Sequence, residues 1–233
     1  MITVEPAFVL HRWPFQDSSL LVELFTQQQG RYRVVAKGAR RPKSPWRAIL
    51  QPFTALLVTS QGRHELQTLR HAELAQASYP LTGTGLYSGF YVNELVQRLT
   101  SQYQPVDGLF DDYQATLERL GHGEAIEPVL REFEWRLLCH LGHGFDWCSD
   151  SNDDAIAADG HYQFVAEHGF WRVAEAQRNS YSGATLQRLA AFDLSEPSLL
   201  QAMKHIMRHA LMPYLGDQPL RSRELFSQLK RNH

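Results

Sequence analysis

Apolar and polar residues alternate over short runs in the first eighty residues, which is the pattern of half-buried β-strands. Five such runs occur, at 4–11, 19–26, 31–37, 51–60 and 64–70, with turn-forming residues between them. Short antiparallel strands leave exposed edges unless their sheet closes on itself. The pattern therefore predicts a small five-stranded barrel at the amino terminus.

The apolar period lengthens to three and four positions after about residue 80, as in helices that bury one stripe. We place a domain boundary there, between a barrel domain at 1–80 and a helical domain at 81–233. An acidic stretch and a β-hairpin, together at about 145–180, interrupt the helical domain as an insertion. The predicted fold class is α+β. Helices are predicted at 86–103, 108–120, 128–141, 185–191, 198–214 and 222–230, and hairpin strands at 161–166 and 169–173.

The composition is that of a globular protein, with 43% hydrophobic and 11% aromatic residues. Apolar runs such as 55–58 are far shorter than the ~18 residues that cross a bilayer, and no basic-then-apolar leader follows Met1. A cytoplasmic location is therefore expected. Two cysteines, Cys139 and Cys148, are too few for a disulfide scaffold or a four-cysteine zinc site.

The formal net charge of −2 conceals an uneven distribution. Residues 1–80 carry ten Lys/Arg against five Asp/Glu, residues 81–180 carry six against sixteen, and residues 181–233 carry seven against four. A polyanion is attracted to the first and last blocks and repelled by the middle one. Seven cations and no acid fall within seventeen positions of the first block, namely Arg31, Arg33, Lys37, Arg40, Arg41, Lys43 and Arg47.

The third predicted strand, 31–37, carries the first of these cations. Its two-residue period puts the cations on one side, facing water, and Tyr32, Val34 and Ala36 on the other, facing the core. Glycines and prolines then continue the cationic stripe into an irregular loop that contains Trp46. Small barrels hold single-stranded nucleic acid with cations along the phosphates and aromatic platforms under the bases, so Trp46 is the candidate platform. The alternative is that the run is only a solvated strand and loop.

Two histidine-containing segments raise the question of a metal site. His205 and His209 lie four apart on a predicted helix, but Ile206 stands where a zinc protease has glutamate, and such pairs are mostly ordinary helix surface or core. The spacing of the histidines and cysteines within 139–148 fits no structural zinc pattern. We therefore expect no metal.

Known enzyme signatures do not occur in the sequence: it has no Gly-x-x-x-x-Gly-Lys-Ser/Thr loop, no Gly-x-Gly-x-x-Gly and no Gly-x-Ser-x-Gly. Binding is thus favoured over catalysis. The acidic pairs at 111–112 and 153–154 are candidates for metal-assisted phosphoryl chemistry, although solvated helix starts and loops are the more common role of such pairs.

A basic and an aromatic residue lie four apart on the predicted helix 128–141, away from its core stripe. Arg131 and Trp135 suit a short peptide that ends in an aromatic residue and a carboxylate, because a cleft takes the ring and the guanidinium pairs with the anion. The alternative is that Trp135 packs against a neighbouring helix while Arg131 pairs with Glu127 or Glu134. Both interpretations are open at this point.

A set of short motifs runs in order along nearly the whole chain. In the barrel half they are Leu24-Phe25-Thr26 with Gly30-Arg31, residues 35–40, and Gln51-Pro52-Phe53. In the helical half they are Tyr87-Ser88-Gly89 with Asn93-Glu94-Leu95, and Tyr214-Leu215-Gly216 with residues 219–225. Together these segments resemble the RecO family of bacterial DNA repair and recombination proteins.

The resemblance implies an oligonucleotide/oligosaccharide-binding (OB) barrel followed by a helical domain, and a non-enzymatic recombination mediator associated with the nucleoid. It implies binding of single- and double-stranded DNA, annealing of complementary strands, a partnership with RecR, and help for RecA in replacing single-stranded DNA-binding protein. It also implies contact with the acidic, phenylalanine-terminated tail of that protein, for which Arg131 is the matching candidate beside Trp135. The DNA contacts are expected at Arg31, Arg33, Lys37, Arg40, Arg41, Lys43, Trp46, Arg47, Arg221 and Arg223.

Two features depart from the family pattern. Many relatives carry a four-cysteine zinc module after the third helix, whereas no Cys-x-x-Cys occurs here, so neither a metal nor another cofactor is expected. The acidic middle block opposes an acidic tail, so any such contact must be local. The alternative functions are a metal-dependent nucleic-acid hydrolase that uses the His/Asp-rich insertion, and a protein-only adaptor.

Overall fold

The computed structural model describes residues 4–62, 66–75, 79–216 and 218–222. Their contacts form two compact units, one made of the residues up to Glu124 together with those from Pro219 onward, and the other of Ala125–Gln218. The boundary near residue 80 stays a prediction. None of the described helices is both long enough and apolar enough to span a bilayer.

Five strands of the first unit close into a barrel, as the alternating pattern predicts. They are β1 (Glu5–Phe15), β2 (Ser19–Thr26), β3 (Gly30–Ala36), β4 (Ala55–Gln61) and β5 (Leu66–Leu74). All neighbouring strands pair antiparallel except β3 and β5, which run parallel. This is a five-stranded OB barrel, and the predicted fold class is confirmed.

The first strand differs from its predicted bounds. β1 continues past His11 and through Pro14, pairing with β2 as far as Phe15. Proline is tolerated there because β4 pairs in register only with the Glu5–Phe8 part of β1, which leaves the far part of the strand bonded on one side. A four-residue helix, α1 (Trp46–Ile49), also lies in what the sequence predicts as loop.

The inward residues of β3 follow the predicted two-residue period. Tyr32, Val34 and Ala36 are completely buried in the apolar cluster that fills the barrel. The Tyr32 hydroxyl lies 3.1 Å from both Glu5 Oε1 and Ser60 Oγ, so the one polar group that this strand sends inward is hydrogen-bonded.

Two helices, α2 (Gly83–Leu99) and α3 (Leu109–Gly121), pack on the barrel within the same unit. The buried Asn93 of α2 joins all three parts, since its amide donates to Leu10 O at 2.9 Å and its carbonyl accepts from the Tyr113 hydroxyl at 2.6 Å. A glycine is required at position 89, because a Cβ there would lie 2.6 Å from a Leu81 methyl and 2.9 Å from the Phe53 ring. The motif residues at 89 and 93 thus hold α2 against β1 and the segment before β4.

The second unit combines three helices with a three-stranded sheet. The helices are α4 (Ile126–His140), α5 (Gly183–Ala190) and α6 (Pro197–Leu215), and the strands are β6 (His161–Val165), β7 (Gly169–Val173) and β8 (Ser180–Ser182). The hairpin of β6 and β7 is confirmed, while β8, which pairs with β6, was not predicted. Pro213 lies within the last turn of α6, which ends at Leu215. The predicted helix 222–230 lies, apart from Ser222, outside the described residues.

Candidate nucleic-acid interface

The strand register fixes which side chains share the outer face of β1, β2 and β3. His11 lies opposite Glu23, and Glu23 lies opposite Arg33. Trp13 follows two residues after His11 on β1 and therefore lies on the same face. The continuation of β1 beyond His11 is what brings this tryptophan into the sheet.

Trp13 takes part in a stack with two neighbours that carry or can acquire a positive charge. The ring centroid of His11 is 4.2 Å away, and the guanidinium carbon of Arg33 lies 5.5 Å from the indole centroid. A guanidinium at this distance is attracted by the ring's π-electrons. Sequence reasoning missed Trp13 because the predicted strand ends at His11, two residues before it and ahead of the turn segment that begins at Pro14. The signal that was present is the alternation of His11, Trp13 and Phe15.

The buried carboxylate of Glu23 changes part of the predicted cationic stripe. Glu23 is 2% exposed, and its Oε1 lies 2.5 Å from Arg31 Nη1 and 3.5 Å from Arg33 Nε. The prediction that Arg31 faces water is wrong: its side chain is only 11% exposed and also donates to Thr100 O. The stretch 31–47 is free of acid in sequence but not in space, because the neighbouring strand supplies one. Arg33 keeps 43% of its side chain exposed.

The loop after β3 carries cations that reach solvent. The side chains of Lys37, Arg41, Lys43 and Arg47 are exposed and form no ion pair or hydrogen bond with any residue the structure describes. Arg40 is also exposed, with a long contact of 3.4 Å from its Nη1 to a backbone oxygen of the β1–β2 turn.

The backbone of the same loop, in contrast, is fixed. Arg40 N donates to Ser18 O at 2.9 Å, which attaches the loop to the β1–β2 turn. Arg41 N donates to Gly38 O at 3.1 Å, and Ser44 N donates to Arg41 O at 3.0 Å. The turn needs Gly38, whose φ is +71°. Exposed cationic side chains on a hydrogen-bonded backbone suit a surface that follows phosphates without choosing a base sequence.

Trp46 does not occupy the position that a free platform would. Its side chain is half-buried and packs against the apolar cluster of the barrel, together with Ile49 from the same short helix. Its role as a base platform stays a prediction. Trp13 is also half-buried, but its ring contacts His11 and Arg33 rather than the apolar cluster of the barrel.

The carboxyl-terminal motif returns to the barrel unit. Glu94 on α2 accepts hydrogen bonds at 2.9 Å from the backbone amides of Arg221 and Ser222, and at 2.6 Å from the Ser222 hydroxyl. Two family-like segments distant in sequence therefore hold each other, and the exposed Arg221 is brought close enough to influence His11. Arg223 lies outside the described residues.

The ionisation of His11 reflects this crowded surface. Partial burial lowers the pKa of His11 from its ordinary value. Glu23 opposes that shift, whereas the charges of Arg221 and Arg12 add to it. The imidazole is therefore held in its neutral form at neutral pH, and an anion placed beside it favours protonation.

Arg131 and Trp135 lie in the other unit, and the structure gives each a partner within it. Arg131 is buried and its Nη2 lies 2.6 Å from Glu134, which is one of the two ion pairs considered above. The Trp135 ring centroid lies 4.8 Å from that of Phe145 and 5.5 Å from that of Trp147, both in the segment after α4 rather than on a helix. The peptide contact predicted for this pair stays a prediction.

Two acidic residues of the insertion accept hydrogen bonds within turns. Asp146 accepts from Cys148 N and from the Ser149 hydroxyl, and the buried Asp150 accepts from the amides of Asn152 and Asp154. Within the described residues, no three His, Cys, Asp or Glu side chains converge as a metal site would require.

Comparisons with known proteins cover both units. Residues 1–78 match the family described as "Recombination protein O N terminal", and residues 81–224 match "Recombination protein O C terminal". A protein of Idiomarina loihiensis named "DNA repair protein RecO" is 49% identical over 229 residues, covering 97% of this chain and 98% of the relative. Proteins of the same name from Haemophilus influenzae and Sodalis glossinidius are 44% and 45% identical, covering 97% and 95% of this chain and 96% and 86% of the respective relatives.

Proposed function

Because the chain belongs to the RecO family of DNA repair proteins, we propose that it binds single- and double-stranded DNA through one cationic face of its barrel. This face, called the cationic face below, consists of His11, Trp13, Arg33, Lys37, Arg40, Arg41, Lys43, Arg47 and Arg221. The observation that carries the proposal is the loop after β3, whose exposed cations lack acidic partners among the described residues. Arg31 is left out because Glu23 and Thr100 already occupy its guanidinium.

Binding at this face is electrostatic first and aromatic second. Each cation that neutralises a phosphate releases counterions, so the affinity falls with salt. Trp13 offers a ring on which a base of a single strand can stack, which a duplex with paired and stacked bases cannot use. No described residue of the face is arranged to distinguish one base edge from another, so sequence-independent binding is expected.

Annealing follows from the same charge distribution without a chemical step. Two strands repel each other through their phosphates, and a surface with five or more cations lowers that repulsion when both strands lie on it. The protein then acts as a non-enzymatic mediator in the cytoplasm, at the nucleoid. It works with RecR, and it assists RecA in replacing single-stranded DNA-binding protein.

Charge reversal in the loop tests the DNA surface. The Lys37→Glu/Arg40→Glu variant should show no measurable binding to a labelled single strand in fluorescence polarisation at ~50 mM salt. Its far-UV circular dichroism spectrum should be unchanged. The Arg172→Glu/Arg178→Glu variant changes the net charge equally on exposed arginines of the other unit and should bind like the wild type. Equal affinity of the loop variant and the wild type would refute the assignment of this surface.

The contact with the acidic tail is proposed for the unit that contains Arg131 and Trp135. A cavity of about 260 Å³ adjoins their aromatic neighbours and has the size to take a terminal phenylalanine ring. Phe145, Phe164 and Tyr214 contribute aromatic lining, whereas Glu167 contributes a carboxylate that opposes an acidic tail. The guanidinium of Arg131 is buried beside Glu134, so it has to reorient before it can pair with the tail's carboxylate.

Substitution of the cavity residue Phe145 and of Arg131 tests the tail contact. The Phe145→Ala and Arg131→Met variants should each weaken binding of a labelled acidic peptide ending in phenylalanine by at least ~10-fold, while binding of naked DNA is retained. Thermal melting identifies a variant that has lost its fold. If both folded variants bind the peptide like the wild type, the tail contact lies elsewhere.

Incubation of the protein with a labelled single strand in Mg²⁺, Mn²⁺ or Zn²⁺ distinguishes a mediator from a hydrolase, because a mediator leaves the strand intact.

A further inference from the structure

The unit Ala125–Gln218 contains a polar pocket that the proposed contacts do not use. Its volume is about 180 Å³, and its lining comes from β6, β8, the segment before β8 and α6. The residues that line it are Gln163, Phe164, Asn179, Tyr181, His205 and His209. Four of the six carry amide or imidazole nitrogen, and none is an acid.

The two histidines of the pocket lie on one face of α6. They are four residues apart, so one stands a single helical turn above the other. Their ring centroids are 4.2 Å apart and the rings are inclined at 63°. This spacing is the one by which helices present two imidazoles to a single metal ion.

Both rings are oriented through their Nδ1 atoms. His209 Nδ1 lies 2.9 Å from His205 O, and since a carbonyl oxygen can only accept, Nδ1 carries the proton and the neutral ring has its lone pair on Nε2. His205 Nδ1 lies 2.6 Å from the Tyr181 hydroxyl, which can accept from it in the same way. Neither Nε2 has a hydrogen-bond partner among the residues that the structure describes.

These contacts match those around metal-bound histidines, in which the ring nitrogen that does not bind the metal donates to a carbonyl, a carboxylate or another oxygen. Imidazole nitrogen favours Zn²⁺, Cu²⁺ and Ni²⁺ over the hard cations Mg²⁺ and Ca²⁺, which prefer oxygen. No third His, Cys, Asp or Glu of the described chain joins the pair. Two protein ligands leave the remaining positions to water, so a bound ion stays exchangeable.

We propose that His205 and His209 bind one divalent ion of the zinc, copper and nickel group through their Nε2 atoms, with Tyr181 as a positioning residue. The sequence alone argued against a metal because the protease glutamate and the four-cysteine module are missing. Those features serve catalysis and structural zinc, and neither is required for two oriented imidazoles to bind an exchangeable ion. The site lies outside the cationic face, and it does not depend on the proposed DNA binding.

Calorimetric titration of the full chain with Zn²⁺ and with Ni²⁺ tests the site. The His205→Gln/His209→Gln variant should bind either ion at least ~10-fold more weakly than the wild type, and Tyr181→Phe should weaken binding by about 10-fold through loss of the oriented ring. A matched control, His122→Gln/His168→Gln, replaces two exposed histidines and should bind like the wild type. Mg²⁺ should produce no binding heat.

The exposed thiols of Cys139 and Cys148 can also take up zinc, and they are present in every variant as a common background. Circular dichroism establishes that the variants are folded, which is expected because His205 is exposed and His209 half-buried. Equal binding by the wild type and the double histidine variant would overturn the proposal, because the ion would then be held outside this pair. The proposal is also overturned if the wild type binds neither ion at millimolar concentration.

Discussion

Neighbouring arginines of β3 differ in what they can offer to a polyanion. Arg31 and Arg33 are separated by one residue and share a face, yet the first is nearly buried against Glu23 and the second keeps much of its side chain in water. The two-residue period correctly predicted the face but not the depth, because depth depends on what α2 and the neighbouring strand place above each position. A single acid from another strand thus removes one cation from the predicted stripe.

At the same scale, we predict that Trp13 contributes stacking rather than charge. The Trp13→Ala variant should bind a single strand roughly 5- to 160-fold more weakly, since stacking on one aromatic residue contributes about 1–3 kcal/mol. The slope of log affinity against log salt should not change, because no cation is removed. Fluorescence polarisation at several salt concentrations measures both quantities.

Trp171→Ala is the matched control, because Trp171 is an exposed tryptophan of the other unit. If Trp13→Ala binds the single strand as the wild type does, Trp13 is no platform. A change in the salt slope would instead mean that removal of the ring displaces Arg33.

His11 gives a prediction about pH. Its pKa is lowered from 6.5 in the free protein, mainly by burial, so the folded chain binds fewer protons than the unfolded chain as the pH falls through that value. A phosphate beside the ring favours the imidazolium, so binding of DNA should take up a proton and become tighter as the pH falls from neutral toward the ordinary histidine pKa of 6.5. In His11→Gln this part of the pH dependence should vanish. If it persists unchanged, His11 lies outside the contact.

Among the elements, the strands and long helices followed from their periods, whereas the short pieces did not. Helix α1 has four residues and strand β8 has three, which is too short for a periodic pattern of apolar residues to be recognised. Their conformation depends on contacts with neighbouring parts of the chain. The prediction ended β1 at His11, whereas the strand continues through Pro14. Whether a strand can include a proline depends on whether its other side is paired, which no local pattern records. Because the predicted strand stopped before Trp13, the contacts of this ring with His11 and Arg33 were not predicted either.

The contact of α2 with residues 219–222 joins the amino-terminal and carboxyl-terminal parts of the chain within the barrel unit. We predict that Glu94→Ala lowers the free energy of unfolding by about 1.5–3 kcal/mol, because three groups lose a charged acceptor. Urea denaturation measures the change. Glu118→Ala, an exposed acid on α3, should stay within about 0.5 kcal/mol of the wild type. A loss no larger than that of the control would mean that this contact does not stabilise the fold.

For the whole molecule, the sequence predicted the barrel, the helical part and the family. Each of these rests on patterns spread over many residues, so that a single error, such as the end of β1, leaves them intact. The site was predicted less completely, since a surface is assembled from side chains whose neighbours come from other strands. The loop cations could be found from the sequence because they project from a turn, where no other strand covers them.

The proposed binding sites belong to different compact units. The cationic loop belongs to the barrel unit, whereas Arg131, Trp135 and the histidine pocket belong to Ala125–Gln218. Substitutions in one unit should therefore leave the binding measured at the other unchanged, and the paired variants described above serve as each other's controls.

The most direct measurement is the affinity for single-stranded DNA as a function of salt, for the wild type and for Arg40→Gln/Lys43→Gln. With three to five cations on the phosphates, log affinity of the wild type should fall with log salt at a slope of about −2 to −3.5. Loss of two contacts should make that slope shallower by about 1.4, while Arg172→Gln/Arg178→Gln leaves it unchanged. A loop variant with the wild-type slope would contradict the assignment of the phosphates to this face of the barrel.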